Sequence, residues 1–230
     1  MRRYAQAVSA LDEVRRQDAE LRRLPPNLWD RLRSDPLHAP EHLALAAAER
    51  HAPAAAEWVR EKRAMYAVTP HDLALMAKKR HASIARFSGA AAGVGGFALL
   101  VPDLAATAWV QSRLIYFVAA SYGYDPFDPM RPAEQLVLQE LYATPAEARA
   151  ALDGAGRPIA EAFVQARLGS DETLARRLAK MVGKRAVKRL GARMIPGLAV
   201  AVGAVGNERD TRALADRAIA FYGGETQASP

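Results

Sequence analysis

The sequence predicts an all-α protein, a single compact helical domain built around a glycine-rich apolar helical hairpin. Half of its 230 residues are hydrophobic, and alanine, the strongest helix former, is prominent among them. Apolar residues recur at three- and four-residue steps in most segments, and none shows a clear β-hairpin pattern. Within this one domain we expect an N-terminal helical segment over residues 1–66, a helical core over 67–223 and a disordered tail over 224–230.

Charge and composition narrow the possible partners. The formal net charge is +7 and the pI is about 9.9, which favours an acidic partner: an anionic lipid surface, nucleic acid or an acidic protein. The absence of cysteine excludes disulfides, zinc–thiolate sites and thiol nucleophiles. The longest uncharged run, of about sixteen residues, is shorter than the roughly 20 that a membrane-spanning helix needs. Since the N-terminus also has no apolar signal segment, we expect a cytoplasmic protein, soluble or peripheral at the inner face of the cell membrane.

The N-terminal segment contains three or four predicted helices. Residues 4–24 form an amphipathic helix that a proline pair stops. Asn27 is placed to cap a short helix over residues 28–33. The alanine-rich segment 40–66 is either one helix kinked at Pro53 or two separate helices.

The stretch 87–125 organises the rest of the chain, because two apolar helices meet in it. Thr69, which precedes a proline, caps the helix that leads into this stretch. We place a break at Pro102, since the residue before a proline is biased away from helix. Asp103 then begins a second helix, and Gly123 ends it.

The glycine-rich hairpin admits two interpretations. Small residues at helical spacing let one helix backbone approach another closely. The hairpin is therefore either buried at the centre of a soluble bundle or able to contact lipid. Its defining residues, which include a second proline–glycine break downstream, are Gly89, Gly93, Gly96, Pro102, Asp103, Pro196 and Gly197.

The C-terminal half is predicted as further helices separated by glycine and proline. They begin at Pro132, at a capping box of Thr144 and Glu147, at about Ser170, and at Glu208. Asn207 is the predicted N-cap of the last helix, which ends at a Gly-Gly pair after Tyr222. Residues 198–205 are ambiguous between helix and strand.

A basic stripe lies on the helix that follows Ser170. Apolar residues occupy another face of this helix, as in helices that lie on a membrane surface. The alternative is the solvated face of a core-packed helix. Nucleic-acid binding is disfavoured, because no aromatic interleaving or recognition motif accompanies the charge. The stripe, interpreted as a lipid- or anion-binding face, comprises Arg176, Arg177, Lys180, Lys184, Arg185, Lys188, Arg189 and Arg193.

A polar cluster is predicted near the ends of the apolar segments. Asp103 is interpreted as a helix-capping carboxylate, or alternatively as an ion-pair partner of Arg113 or Arg86. The tyrosines either anchor the protein at a lipid interface or cap a core through hydrogen-bonded hydroxyls. The candidate cluster consists of Asp103, Arg113, Tyr122, Tyr124, Asp125, Asn207 and Asp210.

No pattern predicts catalysis, a cofactor or a metal. His38 and His42 have the spacing of metal ligands, but a proline lies between them and the motif of zinc enzymes is missing. The glycines of 89–96 are not followed by the Lys-Ser/Thr of a phosphate-binding loop, and no serine lies in a nucleophile elbow. We therefore predict no cofactor, no metal site and no catalytic residue.

Three blocks of the sequence resemble the EcsC family of bacterial proteins. They are GAAAGVGGFALLVPDL, SYGYDP, and the block from Lys180 to Tyr222 with its Ile-Pro-Gly and Asn-x-x-Asp. The resemblance covers residues 69–223. It implies an α-helical bacterial protein with membrane-associated character and transfers no catalytic residue.

Three functional hypotheses follow. The first is a peripheral membrane or lipid-binding protein, with a basic face for anionic headgroups and an apolar hairpin or cavity for acyl chains. The second is a protein–protein adaptor or oligomeric regulator, whose apolar surface is a homo-oligomer interface. The third, a hydrolase using Asp103, lacks an identifiable nucleophile and base. An exposed apolar patch beside basic residues would favour the first hypothesis, and a dry hairpin with a two-fold contact would favour the second.

Overall fold

Helices account for all the regular structure in the part of the chain that the computed structural model describes, residues 20–88, 96–154, 177–178, 180–181 and 199–226. The longer helices are α1 (Pro26–Ser34), α2 (Ala39–Met65), α3 (Pro70–Ser88), α4 (Gly96–Ser121), α5 (Arg131–Leu138), α6 (Pro145–Gly154) and α7 (Ala199–Thr226). A single 3₁₀ turn, Pro36–His38, joins α1 to α2. The all-α prediction is confirmed.

Prolines open the first two helices and do not interrupt the second. Pro26 is the first residue of α1, where its missing N–H would have had no helical partner. Asn27 therefore lies inside α1, and its predicted role as N-cap is wrong. Pro53 lies inside α2 on its exposed side, and α2 continues through it as one helix. Of the two alternatives for this segment, the single helix is correct.

Two helices begin with caps that the sequence predicted. At the start of α3, the Asp72 N–H donates to Thr69 Oγ1 at 3.1 Å, and the Thr69 N–H donates to the Asp72 carboxylate at 3.1 Å. At the start of α6, the Glu147 N–H donates to Thr144 Oγ1 at 3.2 Å, and the Ala143 N–H donates to the Glu147 carboxylate at 3.2 Å. These bonds satisfy N–H groups that the first turn of a helix leaves without a partner.

Replacing Thr69 by Ala should lower the free energy of unfolding by about 1 kcal/mol, because the hydroxyl that caps α3 is lost. Thr69→Ser keeps the hydroxyl and is the matched control, so it should retain most of the stability. Denaturant unfolding followed by far-UV circular dichroism measures both variants. Equal midpoints for the Ala and Ser variants would contradict this role of the cap.

α4 is continuous from Gly96 to Ser121, and two predictions about it are wrong. Pro102 lies in its second turn and is exposed, so the predicted break at this proline does not occur. Asp103 is consequently inside the helix and does not begin it. A proline this close to a helix start removes one backbone bond, and burial of the residues from Leu104 to Ser121 outweighs that loss. Gly89 and Gly93 lie outside the described residues, so the hairpin itself stays a prediction.

The buried helix α4 is the centre of the fold, where it packs against α2, α3, α5 and α7. Side chains on α4 also accept hydrogen bonds from its neighbours. Gln135 of α5 donates to Ser112 Oγ at 2.8 Å, and Asn207 of α7 donates to Thr107 Oγ1 at 3.2 Å. Because a buried polar group that loses its partner is costly, these bonds help to fix how α5 and α7 lie against α4.

A glycine ends α4, as predicted. Gly123 has a φ of +92°, a conformation that residues with a side chain rarely adopt. Its N–H donates to the Ala120 carbonyl at 3.1 Å, and the Tyr124 N–H donates to the Ala119 carbonyl at 3.2 Å. This pair of bonds is the Schellman motif of helix C-termini.

α7 is longer than the predicted last helix at both ends. It begins at Ala199, so Asn207 lies inside it and the prediction of Asn207 as N-cap is wrong. It also passes the Gly-Gly pair and reaches Thr226. The buried residues Leu214, Ala215 and Ala218 lie on this helix, which packs against α3 and α4. This tertiary packing outweighs the weak helix propensity of the glycines.

A buried ion pair ties α5 to α7. The guanidinium of Arg131, a residue only 5% exposed, donates to the Glu134 carboxylate and to Asp128 Oδ2, the latter at 3.2 Å. Tyr222 of α7 is fully buried and donates its hydroxyl to Glu134 Oε2 at 2.7 Å. The rings of Tyr124 and Tyr222 lie 5.3 and 5.5 Å from the guanidinium carbon. We call these five residues the Arg131 cluster.

Candidate functional site

The tyrosines of the predicted polar cluster lie in two different places. Tyr122 shares a hydrogen bond of 2.9 Å with His71 Nδ1, at the edge of a cleft of about 470 Å³ between the start of α3 and the end of α7. Tyr124 packs in the Arg131 cluster. Asp125 accepts the Phe127 N–H at 2.9 Å and so shapes the turn after α4. These contacts fit the interpretation in which the tyrosines cap the core, rather than the one in which they anchor the protein at a lipid interface.

The remaining members of that cluster are also apart from one another. Asn207 and Asp210 are buried on α7, and Asn207 faces Thr107 of α4. Arg113 lies further along α4, on the side that faces α2 and α3. The side chain of Asp103 lies outside the described part. The structure therefore does not bring the predicted cluster together as one site.

The basic stripe is described at only four positions of its helix. Leu178 and Met181 are buried, whereas Lys180 is exposed and Arg177 is half-buried. In this short piece the apolar side chains lie inward, and the stripe itself stays a prediction. The other stripe residues, Arg176, Lys184, Arg185, Lys188, Arg189 and Arg193, lie outside the described residues, as do Pro196 and Gly197.

An apolar and basic surface runs along the solvent side of α3. Leu75 and Met76 are 43% and 37% exposed, and the next turn presents Lys79 and Arg80. We call these four residues the α3 outer face. The opposite side of α3 is buried against α4 and α7. The sequence analysis did not single out this face, although its alternation of apolar and basic pairs along the helix was a usable signal.

His38 and His42 converge on one carboxylate rather than on a metal site. His38 Nδ1 lies 3.0 Å from the Asp35 carboxylate, and His42 Nε2 lies 2.9 Å from Asp35 Oδ2. Burial by itself raises the pKa of the Asp35 carboxyl. The hydrogen bonds to both histidines outweigh this effect, so the pKa of Asp35 is lowered overall. Within the described ranges, no group of three or more potential ligands is arranged to hold a metal.

A second group, which sequence analysis missed, lies between α2, α3 and α4. Trp109, Arg113 and Phe117 follow one another at four-residue steps on one face of α4. The Arg113 guanidinium carbon lies 4.3 Å from the Phe117 ring, and the His81 ring of α3 packs edge-on against the same ring at 5.0 Å. His51 of α2 packs on Trp109 at 4.3 Å. We call these five residues the Arg113 cluster.

Both imidazoles of the Arg113 cluster are held neutral. Burial, reinforced by the charge of Arg113, lowers the pKa of His81 to about 3. The same two causes, in the same order, lower the pKa of His51 well below its ordinary range. Burial and the charges of Arg80 and Arg50 lower the pKa of Arg113 itself to about 10. Arginines of three helices thus lie near two buried, neutral imidazoles.

The described part of the chain is an all-helical protein. The chain belongs to the EcsC protein family, whose model matches residues 11–223. The resemblance found in the sequence is thereby confirmed, and the match extends beyond the segment that first indicated it. Comparisons with curated proteins and with solved structures found no match. Among the described helices, none combines the length and hydrophobicity needed to cross a membrane.

Proposed function

We propose that this protein is a peripheral membrane protein that binds anionic lipid. The observation that carries the proposal is the α3 outer face, where two exposed apolar side chains lie one helical turn from two cations. Apolar side chains on such a helix enter the boundary between headgroups and acyl chains, while the cations bind anionic headgroups. The exposed Lys180 and the net charge of +7 also favour binding to an anionic surface.

Changing Leu75 and Met76 together to Gln should weaken binding to anionic vesicles about 30-fold. The estimate takes about 1 kcal/mol for each half-exposed apolar side chain that enters the interface. Lys79→Gln and Lys180→Gln should each weaken binding about fivefold, at about 1 kcal/mol for each cation near the surface. Glutamine is a good helix former, so the fold should be kept. Vesicle sedimentation across a salt series measures these effects.

The matched control is Arg60→Gln, which removes a cation from the exposed surface of α2. It should leave vesicle binding nearly unchanged. Size-exclusion chromatography of the Leu75/Met76 double variant tests the oligomer alternative, since a dimer interface on α3 would dissociate. Equal binding of wild type, double variant and Arg60→Gln to anionic vesicles would contradict the proposal.

A further inference from the structure

Among the described residues, no carboxylate pairs with Arg113. Its side chain is half-buried, and the guanidinium packs on the face of the Phe117 ring. Within the described part of the chain, no carboxylate lies within 4 Å of it. Arg131, by contrast, pairs with two carboxylates. Burying a guanidinium without an acid costs stability, so an arginine at this position needs another explanation.

The charges nearest to Arg113 make its environment more positive. They belong to Arg80 of α3 and Arg50 of α2, both on the exposed sides of their helices. Three helices thus direct arginines toward one region. Arg80 also belongs to the α3 outer face, so this region borders the proposed membrane-binding surface.

The histidines next to Arg113 have polar atoms that the protein does not satisfy. The His81 Nδ1–H donates to the Ala77 carbonyl at 2.8 Å, which leaves Nε2 as an acceptor, and this atom is buried without a partner. His51 lies close to the backbone of Trp109, but neither of its ring nitrogens has a partner within hydrogen-bonding geometry. Both residues are only 1% exposed. Unsatisfied buried polar atoms are rare in folded proteins, and a ligand is one of their ordinary explanations.

We propose that the Arg113 cluster binds a phosphate-type oxyanion. The guanidinium fork of Arg113 matches two phosphate oxygens, and Arg80 and Arg50 add favourable charge. A phosphate that keeps one proton also supplies a P–O–H donor for His81 Nε2, so one ligand can complement both the guanidinium and this unsatisfied imidazole nitrogen. The ligand is either a free phosphate or the phosphate of a lipid headgroup. The inference extends the proposed function but does not depend on it.

In buffer without phosphate, Arg113→Met should raise the melting temperature, because it removes a buried, unpaired charge and its repulsion with two arginines. Inorganic phosphate at roughly twenty times its Kd should raise the melting temperature of the wild type by about 4–7 °C. Arg113→Met should lose this increment and show only the general stabilising effect of phosphate as a salt. A melting temperature of Arg113→Met below that of wild type in phosphate-free buffer would assign Arg113 a purely structural role and overturn the proposal.

His81→Phe keeps the ring contact with Phe117 and removes the acceptor. It should reduce the response to phosphate more than the response to sulfate, which has no proton to donate at neutral pH. Arg113→Lys keeps a charge without the fork and should reduce phosphate binding in isothermal titration calorimetry, which covers the case in which Arg113→Met fails to fold. Equal responses to phosphate in wild type, Arg113→Lys and His81→Phe would overturn the proposal.

Vesicles distinguish the two sources of phosphate. If the ligand is a headgroup, Arg113→Lys should weaken binding to vesicles containing phosphatidic acid more than binding to vesicles containing phosphatidylserine, whose phosphate is a diester. If it is free phosphate, the variant should lose the calorimetric signal and bind both vesicles as the wild type does. If the α3 outer face variants bind vesicles as the wild type does, the membrane proposal is contradicted, but the calorimetric test of phosphate binding is unaffected. The two proposals can therefore be contradicted independently.

Discussion

Arg131→Met should lower the free energy of unfolding by about 3 kcal/mol, because it leaves Glu134 buried without its cation. The side chain of Arg131 is 6% exposed and that of Glu134 14%, so water replaces the lost partner poorly. Burial already raises the pKa of Glu134 above its ordinary value even with Arg131 in place. The substitution also removes the cation that lies against the rings of Tyr124 and Tyr222. Chemical denaturation at neutral pH measures the loss.

A double-mutant cycle separates the ion pair from packing. Glu134→Gln alone should cost less than Arg131→Met, since Arg131 keeps Asp128 and the glutamine still accepts from Tyr222. The double variant Arg131→Met, Glu134→Gln should be more stable than the sum of the single losses indicates, because no charge is then buried alone. Strict additivity of the two single effects would show that the pair is not coupled.

Local signals in the sequence predicted the helix ends that depend on local chemistry. Thr69 and Thr144 cap their helices through hydroxyls, and Gly123 ends α4 with a positive φ, because each of these effects acts within a few residues. The predicted helix break at Pro102 and the predicted N-cap at Asn207 were wrong for the same reason. Each is a breaking or capping residue in isolation, but each lies in a helix whose faces are buried against other helices. Tertiary packing of that kind is not visible in a short window of sequence.

In the candidate sites too, local spacing was visible in the sequence, whereas contacts between distant residues were not. The four-residue spacing of Trp109, Arg113 and Phe117 was visible on α4, but their pairing with His51 and His81 joins residues from three helices. Only the fold shows that Arg113 has no carboxylate partner among the described residues. Asp103 was interpreted as a helix cap or, alternatively, as an ion-pair partner of Arg113 or Arg86. Its interior position in α4 removes the capping role, and its side chain lies outside the described residues. Sequence charge alone therefore favoured an acidic partner, without indicating where such a partner would bind.

The protein should lose stability steeply as the pH falls below about 6.5, the ordinary pKa of histidine. In the fold, burial and Arg113 lower the pKa of His81 to about 3 and that of His51 well below its ordinary range. Below pH 6.5 the unfolded chain binds protons that the folded chain does not, so the stability is fully present above that pH and is lost toward the folded pKa. Between pH 6.5 and 4.5 each histidine should cost about 2–3 kcal/mol.

Substitutions of the two histidines test the origin of this acid sensitivity. The charged groups that act on them are Arg50 on α2, Arg80 on α3 and Arg113 on α4. His81→Phe preserves the stacking on Phe117 and should remove about half of the pH dependence, whatever it does to stability at pH 8. His38→Phe, at a half-buried histidine paired with Asp35, is the control and should leave the loss due to His51 and His81 in place. Urea midpoints recorded from pH 8 to 4.5 in phosphate-free buffer give these slopes. An unchanged slope in His81→Phe would mean that carboxylates, and not the buried imidazoles, govern acid unfolding.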